Sequence, residues 1–383
     1  PLTYSIARKL GASRDGAITA ACFVIFDMLN TIESRLVLMD AQLMFWSAMS
    51  LWLGLKFWAL YDPRDGSEST LTPSQINKWC VAIGVVCGLA ISVKWTALVN
   101  PGMVAVESFF GIWFLHRRRV PMVELFKIAG TVIATYIAVF YVHFWYLPKT
   151  GDRASAFVPA EFSMGYETTL LNHPEYSPDR QYSFWYSFFM LNYEMFLVNS
   201  KITQPHHWGS RFNQWVINAR GVAYWGGPTH PDGYVDHTIR RTVYLIGNPL
   251  VVWTCFAGIL TFIVAGFVYL RYRSWQGCTI DPKLVTALRC CSFGFVAWIM
   301  NLAPYTAVER SSFTYHYMPG LLHAEILTAI LVDRVAGKQY RRYVLGALLA
   351  IVIASFIYFS PWVYALPQQE FGINRRRWMQ GWD

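Results

Sequence analysis

Residues 123–146 read VELFKIAGTVIATYIAVFYVHFWY, and they decide the class of the fold. From Ile128 to Tyr146 the stretch carries no Asp, Glu, Lys or Arg. A membrane-crossing helix needs about 20 mostly apolar residues to span roughly 30 Å of hydrocarbon. The basic run His116-Arg117-Arg118-Arg119 stands just before it. Such runs mark the cytoplasmic ends of spans.

The same reading, carried outward, finds Gly16–Ile32, Leu36–Leu60, Cys80–Leu98, Gly102–Leu115, Val243–Leu270, Leu284–Leu302, Phe313–Val332 and Tyr343–Tyr364, about nine spans in all. Asn100-Pro101-Gly102 supplies a tight turn between two of them. Composition agrees. Charged residues are 14% and hydrophobic residues 55%, where a soluble domain carries about a quarter charged residues. The mean hydropathy is +0.30. The expected fold is therefore an all-α polytopic membrane protein.

The net charge of +9 would suggest a nucleic-acid partner in a soluble protein. Here the cations fall in short runs between apolar stretches, including Arg271-Tyr272-Arg273 and Arg334 through Arg342. That is topology-setting charge, so no nucleic acid is expected. It puts Arg8, Lys9, Arg14, the Asp62–Lys78 loop, the His116–Arg119 run, the Arg271–Lys283 loop and the Arg334–Arg342 loop in the cytoplasm. The Glu33–Asp40 turn, the Lys149–Arg241 loop, the Ala303–Ser311 turn and the C-terminal tail fall on the opposite side. Arg375-Arg376-Arg377 resists the rule by lying in that tail.

The chain thus divides into an N-terminal membrane part (1–146), a long polar loop (147–241), C-terminal membrane helices (242–366) and a tail (367–383). Within the loop, Ser183–Val198 is aromatic and amphipathic and reads as a helix lying at the interface. The seven cysteines (Cys22, Cys80, Cys87, Cys255, Cys278, Cys290 and Cys291) lie mostly in or beside apolar stretches and read as small buried hydrophobes. No Cys/His spacing suggests a metal. The sequence opens at Pro1 inside an apolar segment, which reads as part of a longer protein.

Ionisable side chains beside spans are costly and are functional candidates by default. They gather on the non-cytoplasmic side: Arg35 and Asp40 around one turn, Lys94 beside Trp95, Glu309 and Arg310 in another turn, and His206, His207, Ser210 and Arg211 in the long loop. Cations suit a phosphate or pyrophosphate headgroup. Aromatic rings suit a sugar or an isoprenoid tail. Each has a plainer reading. Arg35 can pair with Asp40 or Glu33, Lys94 can snorkel to the interface, and Arg310 can pair with Glu309. Tyr315 and Tyr317 can be interface anchors, and His316 and His323 can pack between helices. His206 and His207 lack a carboxylate at ligand spacing, so no metal is expected there.

At these residues the chain resembles the protein O-mannosyltransferase family. Ser34-Arg35-Leu36-Val37-Leu38-Met39-Asp40 is similar to its Ser-Arg-x-x-Leu-Leu-Asp segment, and Gly88-Leu89 through Lys94-Trp95 to its Gly-Leu…Lys-Trp span. Gly151-Asp152 with Pro159-Ala160-Glu161-Phe162 resembles a loop start. His206…Ser210…Trp215 followed by Arg220-Gly221-Val222-Ala223-Tyr224-Trp225 resembles the long-loop motif. Leu245-Ile246-Gly247-Asn248-Pro249 and Tyr315-His316-Tyr317-Met318-Pro319 resemble two further signatures.

The resemblance implies a GT-C glycosyltransferase of the endoplasmic reticulum, a multi-pass membrane enzyme of eleven spans. It would take mannose from dolichyl-phosphate mannose to Ser or Thr of secretory polypeptides, without cofactor or metal, as a dimer with a related subunit. Arg35, Lys94 and Arg310 would then serve the donor phosphate or organise the site. Asp40, Trp95, His206, Ser210, Trp215 and Tyr317 would shape the pocket and the lipid or sugar path.

Three departures stand out. The family's acidic Asp-Glu pair, the expected base, would lie upstream of Pro1, so this stretch alone is expected to be inactive. A β-trefoil MIR domain would enter at Leu170–Gln181, which is too short for one. The family's Pro-Trp-x-Trp-Pro, after the loop Ser, reads Phe212-Asn213-Gln214-Trp215-Val216 here. Rival readings are another polyprenyl-phosphate-sugar transferase, a catalytically inactive partner subunit, and a transporter, though no internal repeats support the last. The acceptor proteins are not legible, and no Asn-x-Ser/Thr sequon marks the orientation.

Overall fold

The computed structural model describes residues 1–62, 69, 71–110, 118–149, 170–172, 176–177, 182–201, 204–227, 239–273, 281–308 and 310–382. Glu309, Cys278, the loop start at Gly151-Asp152 and Pro159–Phe162, and most of Leu170–Gln181 lie outside these described residues.

Local chemistry explains where the helices begin and break. After α1 (Leu2–Lys9), the Ser13 side chain accepts from the Gly16 N–H and opens α2 (Arg14–Ile25). Asp27 accepts from the Asn30 N–H and caps α3 (Met28–Arg35), and the two helices meet at a bend of 53°. Then come α4 (Asp40–Tyr61) and α5 (Pro73–Val93), the latter opened by a capping box between Thr72 and Gln75 with Pro73 at the first position. Lys94 is extended, and a 3-10 turn Trp95–Leu98 leads into α6 (Val99–Phe110).

The quoted stretch forms α7 (Met122–Tyr146). The loop contributes α8 (Phe184–Lys201), α9 (Phe212–Trp215) and an antiparallel pair, β1 (Val222–Gly227) with β2 (Ile239–Leu245). Next are α10 (Pro249–Arg273), α11 (Pro282–Leu302), 3-10 turns at Ala303–Thr306 and Thr314–Tyr317, α12 (Met318–Val335) and α13 (Gly337–Tyr364). A two-residue β3 (Gln368–Gln369) adds to β2, and α14 (Glu370–Arg376) follows.

Six of the described helices are long and apolar enough to cross a membrane, or seven if the bent pair α2–α3 is one span. The mostly helical, membrane-spanning class expected from the sequence is what is found. The ends of several stretches need correction. Leu36–Met39 is not part of a helix; these residues are exposed and α4 starts at Asp40. Cys80–Leu98 is broken at Lys94. The stretch predicted from Val243 begins as strand, and its helix starts at Pro249, whose fixed φ suits a first helical position. The small sheet is not legible in the sequence: β2 straddles the expected boundary, with Ile239–Arg241 reading as loop and Val243–Leu245 as the start of a span.

The helix α12 is the centre of the bundle, packed against α2, α10, α11 and α13. Every residue from Met318 to Leu331 is buried. Gly258 of α10 lets the helices approach, because a Cβ there would lie 2.2 Å from the Thr328 hydroxyl oxygen. On the outer side, Gly84 and Gly88 of α5 meet Thr131 and Thr135 of α7, with a Cβ at Gly84 only 2.5 Å from Thr131 Cβ. This is small-residue packing between membrane helices.

Asn248 ties the bent pair to the rest. Its backbone N–H donates to Asp27 Oδ1 (2.8 Å), its amide donates to the Phe26 and Val352 carbonyls, and its Oδ1 accepts from the Ser355 hydroxyl (2.7 Å). The Leu245–Pro249 signature is thus architectural.

Candidate functional site

The non-cytoplasmic turns predicted to hold the chemistry converge at one end of the bundle. Lys94 is placed by the break between α5 and α6. Freed from the helix, its side chain turns inward, and Nζ donates to Asp40 Oδ1 at 2.9 Å. Asp40 is fixed as the first residue of α4 and is buried. The Lys94 ammonium also lies 5.0 Å from the centre of the Tyr315 ring, within cation–π reach.

A second carboxylate joins them. Glu33 on α3 is fully buried, and its Oε1 accepts from the Tyr224 hydroxyl at 2.5 Å, while its Oε2 is buried without a partner. Asp40 and Lys94 are both close enough to act on its charge. Tyr224 reaches Glu33 because it is the extra residue of a β-bulge. Ala223 pairs with Tyr244 and Trp225 with Val243, which leaves Tyr224 unpaired between them. Bulges re-aim side chains in this way. Burial, and then the Glu33 carboxylate, push the Tyr224 phenol far above its ordinary range. It therefore stays a hydrogen-bond donor at any physiological pH.

The wall beside this cluster is aromatic. Trp215 of α9 stacks on His316 with ring centres 5.9 Å apart and planes at 15°, and Tyr305 stands edge-on to it at 4.9 Å. The Trp215 indole N–H donates to the Ser210 hydroxyl (2.8 Å), and the Ser210 backbone N–H donates to the Ser312 carbonyl (2.8 Å). Arg310 donates to the Asn199 amide oxygen on α8, and its charge acts on Tyr305 and Tyr315.

Of the sequence-predicted residues, Lys94, Asp40 and Arg310 are brought to this end together, with Ser210 and Trp215 forming the wall. The others sit elsewhere or act differently. Arg35 pairs with neither Asp40 nor Glu33. It donates to the Val363 carbonyl (2.8 Å) and lies over the Tyr364 ring at the end of α13. Trp95 turns away to donate to Tyr136, which donates in turn to Asn192, so it anchors α8 against α7. His206 is exposed, edge-on to Phe313, and accepts from the Trp208 N–H.

Tyr317 needs correction as a path-lining residue. It is 2% exposed, and its hydroxyl accepts from Trp298 in the core. The 3-10 turn Thr314–Tyr317 sends Tyr315 to the site in its place. Sequence reasoning missed Glu33, Tyr224 and Tyr305. His323 packs between helices, lining with Ser47, Ser50 and Asn100 a cavity of about 20 Å³, room for one water. Among the described residues, no cluster of three or more His, Cys, Asp or Glu could hold a metal ion.

The arrangement offers a fixed ammonium, a guanidinium, two carboxylates and aromatic faces at a membrane boundary. Comparisons with known proteins agree with that chemistry. A relative from Candida albicans, dolichyl-phosphate-mannose–protein mannosyltransferase 1, is 25% identical over 57% of this chain and 24% of its own length. Its namesake from Saccharomyces cerevisiae is 27% identical over 52% of this chain and 24% of its own. The aligned part thus spans about a quarter of these relatives. The polyprenol-phosphate-mannose–protein mannosyltransferase of Corynebacterium glutamicum is 22% identical over 99% of this chain and 74% of its own.

Among solved structures, a chain of the S. cerevisiae protein O-mannosyltransferase Pmt1-Pmt2 complex bound to the sugar donor superposes with a TM-score of 0.79 at 17% identity. The match covers 100% of this chain and 78% of that one, so the fold is shared. Residues 1–148 match the family described as dolichyl-phosphate-mannose-protein mannosyltransferase, and residues 184–382 match the C-terminal four-transmembrane region of protein O-mannosyltransferase. The chain belongs to the protein O-mannosyltransferase family.

Proposed function

We propose that this chain is the body of an enzyme that transfers mannose from a polyprenyl-phosphate donor, dolichyl-phosphate mannose, to Ser or Thr hydroxyls of secretory proteins at the endoplasmic reticulum membrane. The observation that carries the reading is the Lys94 ammonium, held by Asp40 beneath Tyr315 where two spans end.

In the reaction, the acceptor oxygen attacks the anomeric carbon, the bond from that carbon to the phosphate oxygen breaks, and the phosphate leaves with the electron pair. A carboxylate takes the hydroxyl proton. Charge grows on the leaving phosphate, so a cation fixed beforehand lowers the barrier without reorganising. Asp40 aims Lys94 but offsets part of its charge, which gives Arg310 a share of the same task. The rings of Trp215, Tyr305 and Tyr315 offer faces for a sugar or an isoprene unit. We read α8 as an interfacial helix beside the site, and the working form as a dimer with a related subunit. The sugar-donor complex of the structurally similar Pmt1-Pmt2 chain supports this reading. Transfer should need no cofactor, and a chelator should leave the rate unchanged.

The test is mannose transfer to a Ser/Thr peptide by the full-length protein in membranes. Lys94→Ala should lower kcat by about 100-fold or more, the scale for removing one oxyanion-stabilising donor. Arg310→Ala should act in the same direction. Transfer at the unsubstituted rate by both variants would remove the phosphate-side role.

A further inference from the structure

The three arginines that break the positive-inside pattern, Arg375-Arg376-Arg377, do not share one role. Arg376 is structural. Its Nε donates to the Tyr358 carbonyl (2.7 Å), and its Nη1 donates to the Gly372 carbonyl (2.8 Å) and to Gln368 (3.1 Å). The Tyr358 hydroxyl donates back to the Arg375 carbonyl (2.9 Å), and Trp378 stacks on the Tyr358 ring at 5.7 Å. Trp382, 1% exposed, then locks the tail by donating to the Asn218 carbonyl (2.7 Å). The tail therefore does not extend into solvent. It folds back along α13.

These contacts set its depth. The 28 residues of α13 make a helix about 42 Å long, close to the 40–45 Å of a whole bilayer including headgroups. Tyr358 lies about 9 Å before the helix end at Tyr364. The residues bound to it therefore sit where hydrocarbon gives way to headgroups, on the side of the Asp40–Lys94 pair. At this level Arg375 and Arg377 are exposed, and neither forms an ion pair among the described residues. Arg375 lies over the Phe371 ring at 5.4 Å, and Phe371 is 70% exposed.

We propose that this folded-back tail is a phospholipid-binding surface, in which Arg375 and Arg377 grip headgroup phosphates of the bilayer leaflet facing the site while Phe371 and Trp378 sink among the upper acyl carbons. The occupant follows from depth and charge together. Guanidinium forks match phosphate oxygens, exposed aromatic rings suit the interfacial belt, and a soluble partner could not reach rings at the chain–headgroup boundary. The positive-inside exception is then a lipid contact on the far side. The inference is independent of sugar transfer.

The experiment is native mass spectrometry of the full-length protein released from nanodiscs of phosphatidylcholine with phosphatidylglycerol, counting phospholipids that stay bound, with thermal unfolding as a fold control. Arg375→Gln with Arg377→Gln should retain phosphatidylglycerol about 30-fold less well, given roughly 1 kcal/mol per arginine at an anionic surface. Arg375→Lys with Arg377→Lys should keep most of the retention. Equal retention by the unsubstituted protein and the Gln pair would overturn the proposal. So would retention of added polyprenyl phosphate, but not of phosphatidylglycerol, that depends on the same two arginines. If the Gln pair alone fails to fold, a Lys pair that folds but has lost the lipid refutes the charge argument as well.

Discussion

The helices α7 and α12 invert what a soluble protein would lead one to expect. The outer one, α7, is among the most apolar, with a hydropathy of 1.8 over a window that is only 17% buried. The inner one, α12, is buried almost throughout, yet carries His323, Glu325, Asp333 and Arg334. In water the apolar face turns inward. In a bilayer the lipid takes the apolar residues, and only a helix shielded by its neighbours can hold polar groups. Hydropathy in this chain reports contact with lipid, and departures from it point to the interior.

That contrast can be broken by substitution, most forcefully on the inside. Asp333 is fully buried, accepts from the Ser13 N–H at 2.8 Å and pairs with Arg341 at 2.9 Å. Asp333→Ala should cost about 3 kcal/mol or more, since breaking a buried pair strands its partners, and thermal unfolding in one detergent would show it. Next comes the seam between α5 and α7. Gly84→Ala puts a methyl 2.5 Å from Thr131 and should cost about 1–3 kcal/mol by overpacking. Gly130, on α7 itself, meets nothing within 4 Å, so Gly130→Ala should be neutral or gain up to about 1 kcal/mol. Equal losses at the two glycines would mean that the seam is not set by close approach.

Smaller again, Tyr224→Phe leaves both Glu33 oxygens without a partner and should cost about 1–2 kcal/mol. Its effect on transfer should follow the Lys94 variants in direction. Ile133, 60% exposed on α7, faces lipid, and Ile133→Ala should change stability by less than about 0.5 kcal/mol. A loss above 2 kcal/mol there would show α7 covered by protein rather than lipid.

The spans were legible because a bilayer demands length and apolarity from each one separately, a local property. Asp40, Lys94 and Arg310 were legible for the complementary reason: a charge at the end of a span is conspicuous. Glu33 and Tyr224 were not. Their bond joins residues 191 apart and depends on a one-residue irregularity in β1, a stretch that reads in sequence only as part of the long polar loop. Tyr315 and Tyr317 look alike in sequence. Only the tight turn that holds them decides which one faces Lys94 and which enters the core. Arg35 and Trp95 were read by their neighbours in sequence, but their partners, Val363 and Tyr136, come from distant helices.

The odd residue in β1 has a consequence for how such chains can drift. Losing or gaining one amino acid between Val222 and Trp225 would slide the register by one, turning the phenol outward while leaving every span intact. A change of length in this first strand should therefore be punished, giving a protein that still inserts and folds but has lost the link between its extramembrane sheet and the carboxylate beneath it.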